Sequence, residues 1–295
     1  MTLVKVSEML HDAIAGAYAV GYFEAWDGYS LEAVAEAAEA ERSPVILGFG
    51  GMMMDQTWLD RYGIEPLGAY VNAVARRLSV PAATMLNEVW AMEHAKRGVA
   101  AGFSMVMLNT CELPYEKNVA LTRELVQAAH PKGVEVQAEL GRLPSFGKDG
   151  NASMTDPIQA GDFVQSTGVD CLAVSIGNVH LQTDGAAPVD LGRLRAIRKE
   201  VGVPLVVHGG SGFPKDVVAG AIREGVALFH VGSVMKKLFL ENAREFLAAS
   251  SGPEDFQAVV GSRKMADFLI PAKNDVRAKV QSFMRLYGSS GKACP

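Results

Sequence analysis

Val206-Val207-His208-Gly209-Gly210-Ser211-Gly212-Phe213-Pro214 carries an apolar run onto a histidine and then into three glycines, a serine and a proline. Pro204 to Val207 has the β-branched, apolar character of a buried parallel strand. Such a strand delivers an imidazole, a ligating group, to the edge of a glycine loop. Gly209, Gly210 and Gly212 allow close backbone approach to a ligand, and Pro214 suits the first turn of a helix whose free N–H groups favour an anion. An ordinary strand-to-helix turn over a packed histidine would carry the same residues. The plan recurs one strand-and-helix unit earlier, where Leu172-Ala173-Val174-Ser175-Ile176-Gly177-Asn178-Val179-His180 again brings an apolar strand onto a histidine. Two imidazoles delivered in this way can converge at the mouth of a barrel.

The elements that must position them form a repeating series. Apolar runs predict strands at Ala19–Ala25, Val45–Phe49, Ala82–Leu86, Ser104–Leu108, Val134–Glu139, Cys171–Ile176, Leu205–His208 and Ala227–Val231. Amphipathic stretches lie between them. In Tyr115–His130, Val119, Leu121, Leu125, Val126 and Ala129 make one face, and Glu116, Lys117, Arg123 and Glu124 lie off it. A first helix is expected over Val6 to Ala15. Thr155-Asp156-Pro157 marks a helix entry before Ile158–Ser166, whereas Ser43-Pro44 and Val203-Pro204 announce strands. Strand and helix alternating eight times predict an α/β fold, a (β/α)8 TIM barrel over about residues 15–250. Extra C-terminal helices, over about 251–290 and including Asp275–Leu286, complete a single domain and are expected to pack across the barrel or between subunits. Gly141–Met154 is a long irregular loop on the side where barrels place their active sites, either a lid or a plain surface loop.

The chain has 295 residues, 49% hydrophobic content, 21% charge and a net charge of −5. Such values suit a globular protein with a large core, and they leave no basic stripe for nucleic acid. No apolar run reaches the roughly 20 residues that span a bilayer, and no secretion signal is visible, so the expectation is a cytoplasmic protein without a membrane partner. Cys111, Cys171 and Cys294 are too few and too irregular for a disulfide framework or a thiolate cluster, and free thiols are expected.

Ala138-Glu139-Leu140-Gly141, Thr155-Asp156-Pro157, Gly177-Asn178-Val179-His180 and His208-Gly209-Gly210-Ser211-Gly212 occur in this order. With Tyr18-Ala19-Val20-Gly21-Tyr22-Phe23 and Leu113-Pro114-Tyr115-Glu116-Lys117-Asn118, the set resembles the class II, metal-dependent ketose-bisphosphate aldolases from about Tyr18 to about Phe239. The resemblance implies a (β/α)8 barrel holding a catalytic divalent ion, zinc first and manganese or iron as alternatives. It also implies aldol cleavage of a ketose phosphate through a metal-stabilised enediolate. His180 and His208 match two metal ligands, Gly209, Gly210 and Ser211 match the phosphate loop, and Ser233 stands in for a phosphate-binding threonine.

Departures concentrate where the chemistry should be. After the third strand the family has Leu-Asp-His, a proton donor and a third ligand, and this chain has Leu86-Asn87-Glu88. Gln137 replaces an acid, Asn109 an aspartate, Leu181 a glycine and His230 a substrate-contacting asparagine. The first strand ends in Glu24-Ala25-Trp26-Asp27 in place of asparagines. Glu88 completes a two-histidine, one-carboxylate metal site, so His180, His208 and Glu88 are the expected ligands. Asn87 can donate a hydrogen bond to a developing alkoxide but cannot protonate it. Glu24, Asp27 and His230 are the candidate replacement acids, and His230 is a further candidate for phosphate contact. Met52, Met53 and Met54 either line the pocket or fill core, and Glu93 and His94 are expected to face solvent.

The expected function is a lyase acting on a small, phosphorylated sugar other than fructose bisphosphate. An isomerase or epimerase on a related sugar and a non-catalytic sugar-phosphate-binding barrel are the alternatives. The expected partners are a sugar or sugar-phosphate substrate and further copies of the chain, in a dimer or tetramer.

Overall fold

The computed structural model describes residues 3–144, 152–181, 188–249 and 255–293. Eight parallel strands close on themselves in sequence order: β1 Val20–Ala25, β2 Val45–Gly50, β3 Ala82–Val89, β4 Met105–Leu108, β5 Glu135–Leu140, β6 Cys171–Val174, β7 Leu205–Val207 and β8 Val226–Val231. β1 pairs with β8 to close the ring, with Tyr22 opposite His230. The expected barrel is therefore present, and each of the eight sequence-predicted strands overlaps one of these.

Alternation along each strand divides the core into two bodies. One fills the barrel, with Tyr22, Ile46, Met85, Met105, Met107, Cys171, Val206 and Leu228 among its members. The other lies between strands and helices and includes Phe23, Leu47, Phe49, Leu86, Val106, Leu172 and Phe229. The helix Val6–Ala15 contributes Val6, Met9, Leu10 and Ala13 to the inner body and so plugs the N-terminal end of the barrel. Glu135, at the start of β5, accepts the backbone N–H groups of Val6 and Ser7 at that plug.

The C-terminal helix Leu269–Leu286 lies against the helices Gly28–Glu41 and Ser233–Ala249, burying Ile270, Ala272, Val276, Val280, Phe283 and Met284. Lys273 pairs with Glu36 and Arg285 with Glu41. The tail therefore packs on the barrel's own helices. Asp156 caps its helix by accepting from Gln159 N at 3.0 Å, as its position before Pro157 predicts. His94 does not face solvent: it is buried, with Nε2 2.6 Å from Asp60 Oδ1, because its helix turns that side toward the segment carrying Asp60. Among the described residues no helix is long and apolar enough to cross a membrane, and Cys111 and Cys171 are free. Part of Gly141–Met154, residues 145–151, and Cys294 lie outside the described residues.

Candidate active site

Side chains from most of the strand ends meet at the C-terminal mouth of the barrel, the end where this fold places its chemistry. β3 bulges as it arrives there. Its register against β4 shifts between Leu86 and Val89, and Glu88 takes a left-handed φ of +49°, a conformation costly for a residue with a Cβ and characteristic of functional sites. The bulge brings Glu88 into the pocket wall. Asn87 Nδ2 donates to Glu88 Oε2 at 2.8 Å, so Asn87 orients the carboxylate beside it.

The histidines arrive on loops that are tied together. Asn178 Oδ1 accepts Ile176 N at 2.9 Å, and its Nδ2 donates to the carbonyl of His208 at 2.9 Å. One side chain thus braces the turns after β6 and β7. Gly209 has φ +73°, and a Cβ there would stand 2.2 Å from the Val179 carbonyl oxygen, so glycine is required where the two loops touch.

Four side chains, Glu88, Glu139, His180 and His208, each present a ligand atom within 4.8 Å of the others. The rings of His180 and His208 stack 5.6 Å apart at 18°. His208 Nδ1 is 2.9 Å from Glu139 Oε2 and 3.7 Å from Glu88 Oε1. None of these three atoms makes a hydrogen bond among the described residues. They converge on a common point rather than on one another. Donors about 2 Å from a single ion stand about 3–4 Å apart, which is the spacing here. Burial pushes the carboxyls of Glu88 and Glu139 up, to about 7, partly offset by His208 and His180 respectively. Burial pushes the imidazoles of His180 and His208 down toward the neutral, ligating form. Two buried carboxylates that repel each other's ionisation are stabilised by a cation between them. The residues present fit a divalent metal.

Gln137 lies beneath this cluster, on the same face of β5 as Glu135 and Glu139. Its amide nitrogen is assigned 2.8 Å from His208 Nε2, and its oxygen 3.2 Å from His230 Nε2. If His208 ligates through Nδ1, its Nε2 carries the hydrogen, which demands that the Gln137 oxygen face it; the two amide atoms are readily interchanged. The Gln137 amide then donates to His230 Nε2 and leaves the His230 hydrogen on Nδ1. The His230 ring stacks on His208 at 4.3 Å, and burial holds it well toward the neutral form.

The cavity above has a volume of about 280 Å³. Its second half is lined by backbone, hydroxyl and ammonium groups. Gly209 and Ser211 face Gly232, Ser233 and Lys236 across it, and Ser211 Oγ accepts Val234 N at 3.3 Å. The helix that opens onto the cavity is Ser233–Ala249, which follows β8. Pro214 and the helix Lys215–Arg223 are set back behind the short 3-10 turn Gly210–Gly212, so the helix whose N-terminus opens onto the cavity is not the one the glycine motif suggests. Lys236 reaches Glu24.

Of the residues expected from sequence, the structure gathers Glu24, Asn87, Glu88, His180, His208, Gly209, Ser211, His230 and Ser233 around one cavity, with Met52, Met53 and Leu181. Gly210 is buried behind the loop. Asp27 does not join them: its carboxylate accepts Ser30 N at 2.7 Å and caps the helix Gly28–Glu41. Glu139 stands in the four-residue cluster and Tyr22 and Lys236 line the cavity, and the sequence alone does not single them out. The sequence signal for Glu139 is the polar alternation of Glu135, Gln137 and Glu139, which marks one face of the strand without saying that it is buried.

The profile of the family described as Fructose-bisphosphate aldolase class-II matches residues 4–292. Fructose-bisphosphate aldolase of Geobacillus stearothermophilus is 34% identical over 300 residues, covering 99% of each chain. The 6-phospho-5-dehydro-2-deoxy-D-gluconate aldolase of Halalkalibacterium halodurans is 30% identical over 297 residues, again covering 99% of each. Among solved structures, the YdjI aldolase of Escherichia coli K12 superposes with a TM-score of 0.82 at 27% identity, covering 99% of this chain and all of that one.

Proposed function

The chain belongs to the class II fructose-bisphosphate aldolase family, and on that premise we propose that its substrate is a phosphorylated ketose whose sugar end differs from that of fructose bisphosphate. It is a carbon–carbon lyase of the aldolase type, in a metal-dependent family that acts on sugar phosphates; isomerase and binding-only readings are not favoured. The observation that carries the substrate reading is the division of one cavity. The Gly209–Ser211 turn, Ser233 and Lys236 form an intact anion site, while the opposite wall is built from Glu24, Asn87, Glu88 and His230, where the resemblance leads one to expect other side chains.

We propose Glu88, Glu139, His180 and His208 as the ligands of a divalent ion, zinc first, with manganese or iron also suited to two imidazoles and two carboxylates. When bound, such an ion supplies a Lewis acid at the ketose carbonyl, favouring the enediolate left as the carbon–carbon bond breaks. The chain's own groups do the rest. Backbone amides at Gly209 and the start of Ser233–Ala249, the hydroxyls of Ser211 and Ser233, and the Lys236 ammonium hold the phosphate end. Asn87 fixes Glu88, Gln137 fixes the His208 tautomer, and the His230 Nδ1–H offers a neutral donor to a sugar oxygen.

The test is to strip the protein with a chelator, reload it with zinc, manganese or iron, and assay aldehyde release from a panel of phosphorylated ketoses. The expected result is one stoichiometric ion per chain and metal-dependent cleavage of a ketose other than fructose bisphosphate. Preference for fructose 1,6-bisphosphate would overturn the substrate reading, and saturating inorganic phosphate that does not compete would overturn the anion site. We further propose a homo-oligomer, dimer or tetramer, supported by Phe256, Val260 and Met265, which expose apolar surface on the tail. Light scattering that finds only a 31.4 kDa particle at micromolar concentration would refute it.

A further inference from the structure

Aldol chemistry needs an acid that this site does not place where the resemblance expects it. When the new carbon–carbon bond forms, the aldehyde oxygen becomes an alkoxide and must take up a proton. Asn87 has none to give. Asp27 caps a helix away from the cavity. Glu24 is held in an ion pair with Lys236. Glu88 and Glu139, once they ligate a cation, carry no proton. His230 is buried and neutral, and a neutral imidazole yields its N–H far less readily than a phenol yields its O–H.

Tyr22 remains. It stands on β1 two residues before Glu24, so both point into the barrel, and it pairs across the closing seam with His230. Its ring packs 4.5 Å from that of His230, and it lines the cavity together with Asn87, Glu88 and His208. The residue is 1% exposed, and its hydroxyl finds no hydrogen-bond partner among the described residues. A buried phenolic oxygen usually has a partner, and leaving it unpaired destabilises the fold. A ligand oxygen would supply the missing partner. Burial together with the charges of Glu24 and Glu88 holds the phenol in its protonated form, the form a proton donor requires.

We propose that Tyr22 is the proton donor of the aldol step, replacing the acid absent at Asn87. In the condensing direction the enediolate carbon's electron pair forms the bond to the aldehyde carbon. The carbonyl π pair moves onto oxygen, and that oxygen takes the proton from Tyr22 Oη. Condensation leaves Tyr22 as the phenolate, which regains its proton from solvent. Cleavage is the reverse: the phenol first yields its proton to solvent, and the phenolate then takes the proton of the same hydroxyl as the carbonyl re-forms and the carbon–carbon pair returns to the enediolate.

The inference rests on the aldolase reading above, and two half-reactions separate them. Proton exchange between the ketol fragment and solvent needs the carbonyl end of the site but no alkoxide donor. Cleavage and condensation need both. With dihydroxyacetone phosphate alone in deuterated water, Tyr22→Phe should exchange within about threefold of the native enzyme. Its kcat for cleaving the best ketose of the panel should fall about 10²–10⁴-fold, the usual worth of a general acid, with KM nearly unchanged. Removing a hydroxyl that has no partner among the described residues leaves none of them unpaired, so metal stoichiometry by elemental analysis and the melting temperature should stay at native values. Cleavage retained within about tenfold, or exchange lost in step with cleavage, overturns the assignment while leaving the aldolase reading in place. A native enzyme that neither exchanges nor cleaves overturns the aldolase reading, and the role of Tyr22 with it.

Discussion

β5 carries two buried carboxylates on one face, and the barrel treats them in opposite ways. Glu135, at the N-terminal end, is 7% exposed and receives backbone N–H groups from the first turn of the plugging helix. Glu139, four residues on, is 2% exposed. It faces His208 at hydrogen-bond distance, yet its Oε2 makes no hydrogen bond among the described residues. Both burials cost solvation. At Glu135 the partial positive charge of a helix N-terminus offsets that cost within the fold. At Glu139 His180 offsets only part of it, and three more side chains bearing ligand-type atoms stand around the same point. A buried carboxylate therefore reads as structural when its oxygens meet donors, and as functional when they meet other acceptors.

The strongest way to break this comparison is to remove the second carboxylate. Glu139→Ala, like His208→Ala, should abolish stoichiometric metal and lower kcat by at least about 10³-fold, since a Lewis acid is worth several kcal/mol at the carbonyl. Elemental analysis of the purified variants reads the first and steady-state cleavage the second. Full metal occupancy in either variant would remove that residue from the ligand set.

That four-residue set is only partly legible in the sequence. His180 and His208 announce themselves because an apolar strand ending on an imidazole is unusual, and the glycines behind them explain the geometry. Glu88 becomes visible through its place in a resemblance, although the bulge and positive φ that turn it inward have no signature in Leu86-Asn87-Glu88. Glu139 reads as part of a motif and not as a ligand, because one glutamate in a strand does not say which face is buried. The barrel itself is almost wholly legible, since eight apolar runs separated by amphipathic stretches admit few other closures. Tyr22 is hidden for the converse reason: an aromatic in a barrel strand looks like core, and only its place on the cavity wall with a hydroxyl unpartnered among the described residues distinguishes it.

Proton competition sharpens the contrast next. Burial raises Glu88 and Glu139 to about 7 in the metal-free protein. A carboxyl raised on folding binds protons more tightly when folded, so what these two groups contribute to metal-free stability is present below about 4.5 and is lost as pH rises through about 7. A bound cation reverses the sign, because it requires both carboxylates ionised. The gap in melting temperature between metal-loaded and metal-free protein should widen from pH 5 to pH 8. The apparent metal affinity should fall by about ten- to a hundredfold per pH unit below about 6, as one or two protons must leave. A gap that stays constant with pH would mean that the carboxylates are not ligands.

Gln137, midway between the two glutamates on the same face, tests how far the functional region reaches down the strand. Its amide contacts His208 Nε2 on one side and His230 Nε2 on the other. Gln137→Leu leaves both nitrogens unpaired and frees the His208 ring, and should weaken metal binding by about ten- to a hundredfold, as loss of such a supporting contact commonly does. Gln137→Glu still accepts from His208 and should lose less. Competition against a chromogenic chelator measures both, and equal affinities for the Gln137→Leu variant and the native protein would confine the metal site to the four proposed ligands.

The smallest effect belongs to the structural carboxylate. Glu135→Gln keeps an oxygen that can accept from Val6 N or Ser7 N but removes the negative charge at the N-terminus of the helix Val6–Ala15. A charge in that position is worth about 0.3–1 kcal/mol when exposed and up to about 2 kcal/mol when partly buried. In a chain of this size the melting temperature should drop by about 2–4 °C. Metal stoichiometry and kcat should not move, because the plug lies at the end of the barrel opposite the ligands. Calorimetry beside a metal assay decides it. A Glu135→Gln protein that melts at the native temperature but has lost metal would show the two ends of β5 to be coupled, and the distinction between satisfied and unsatisfied carboxylates would then no longer separate structure from function.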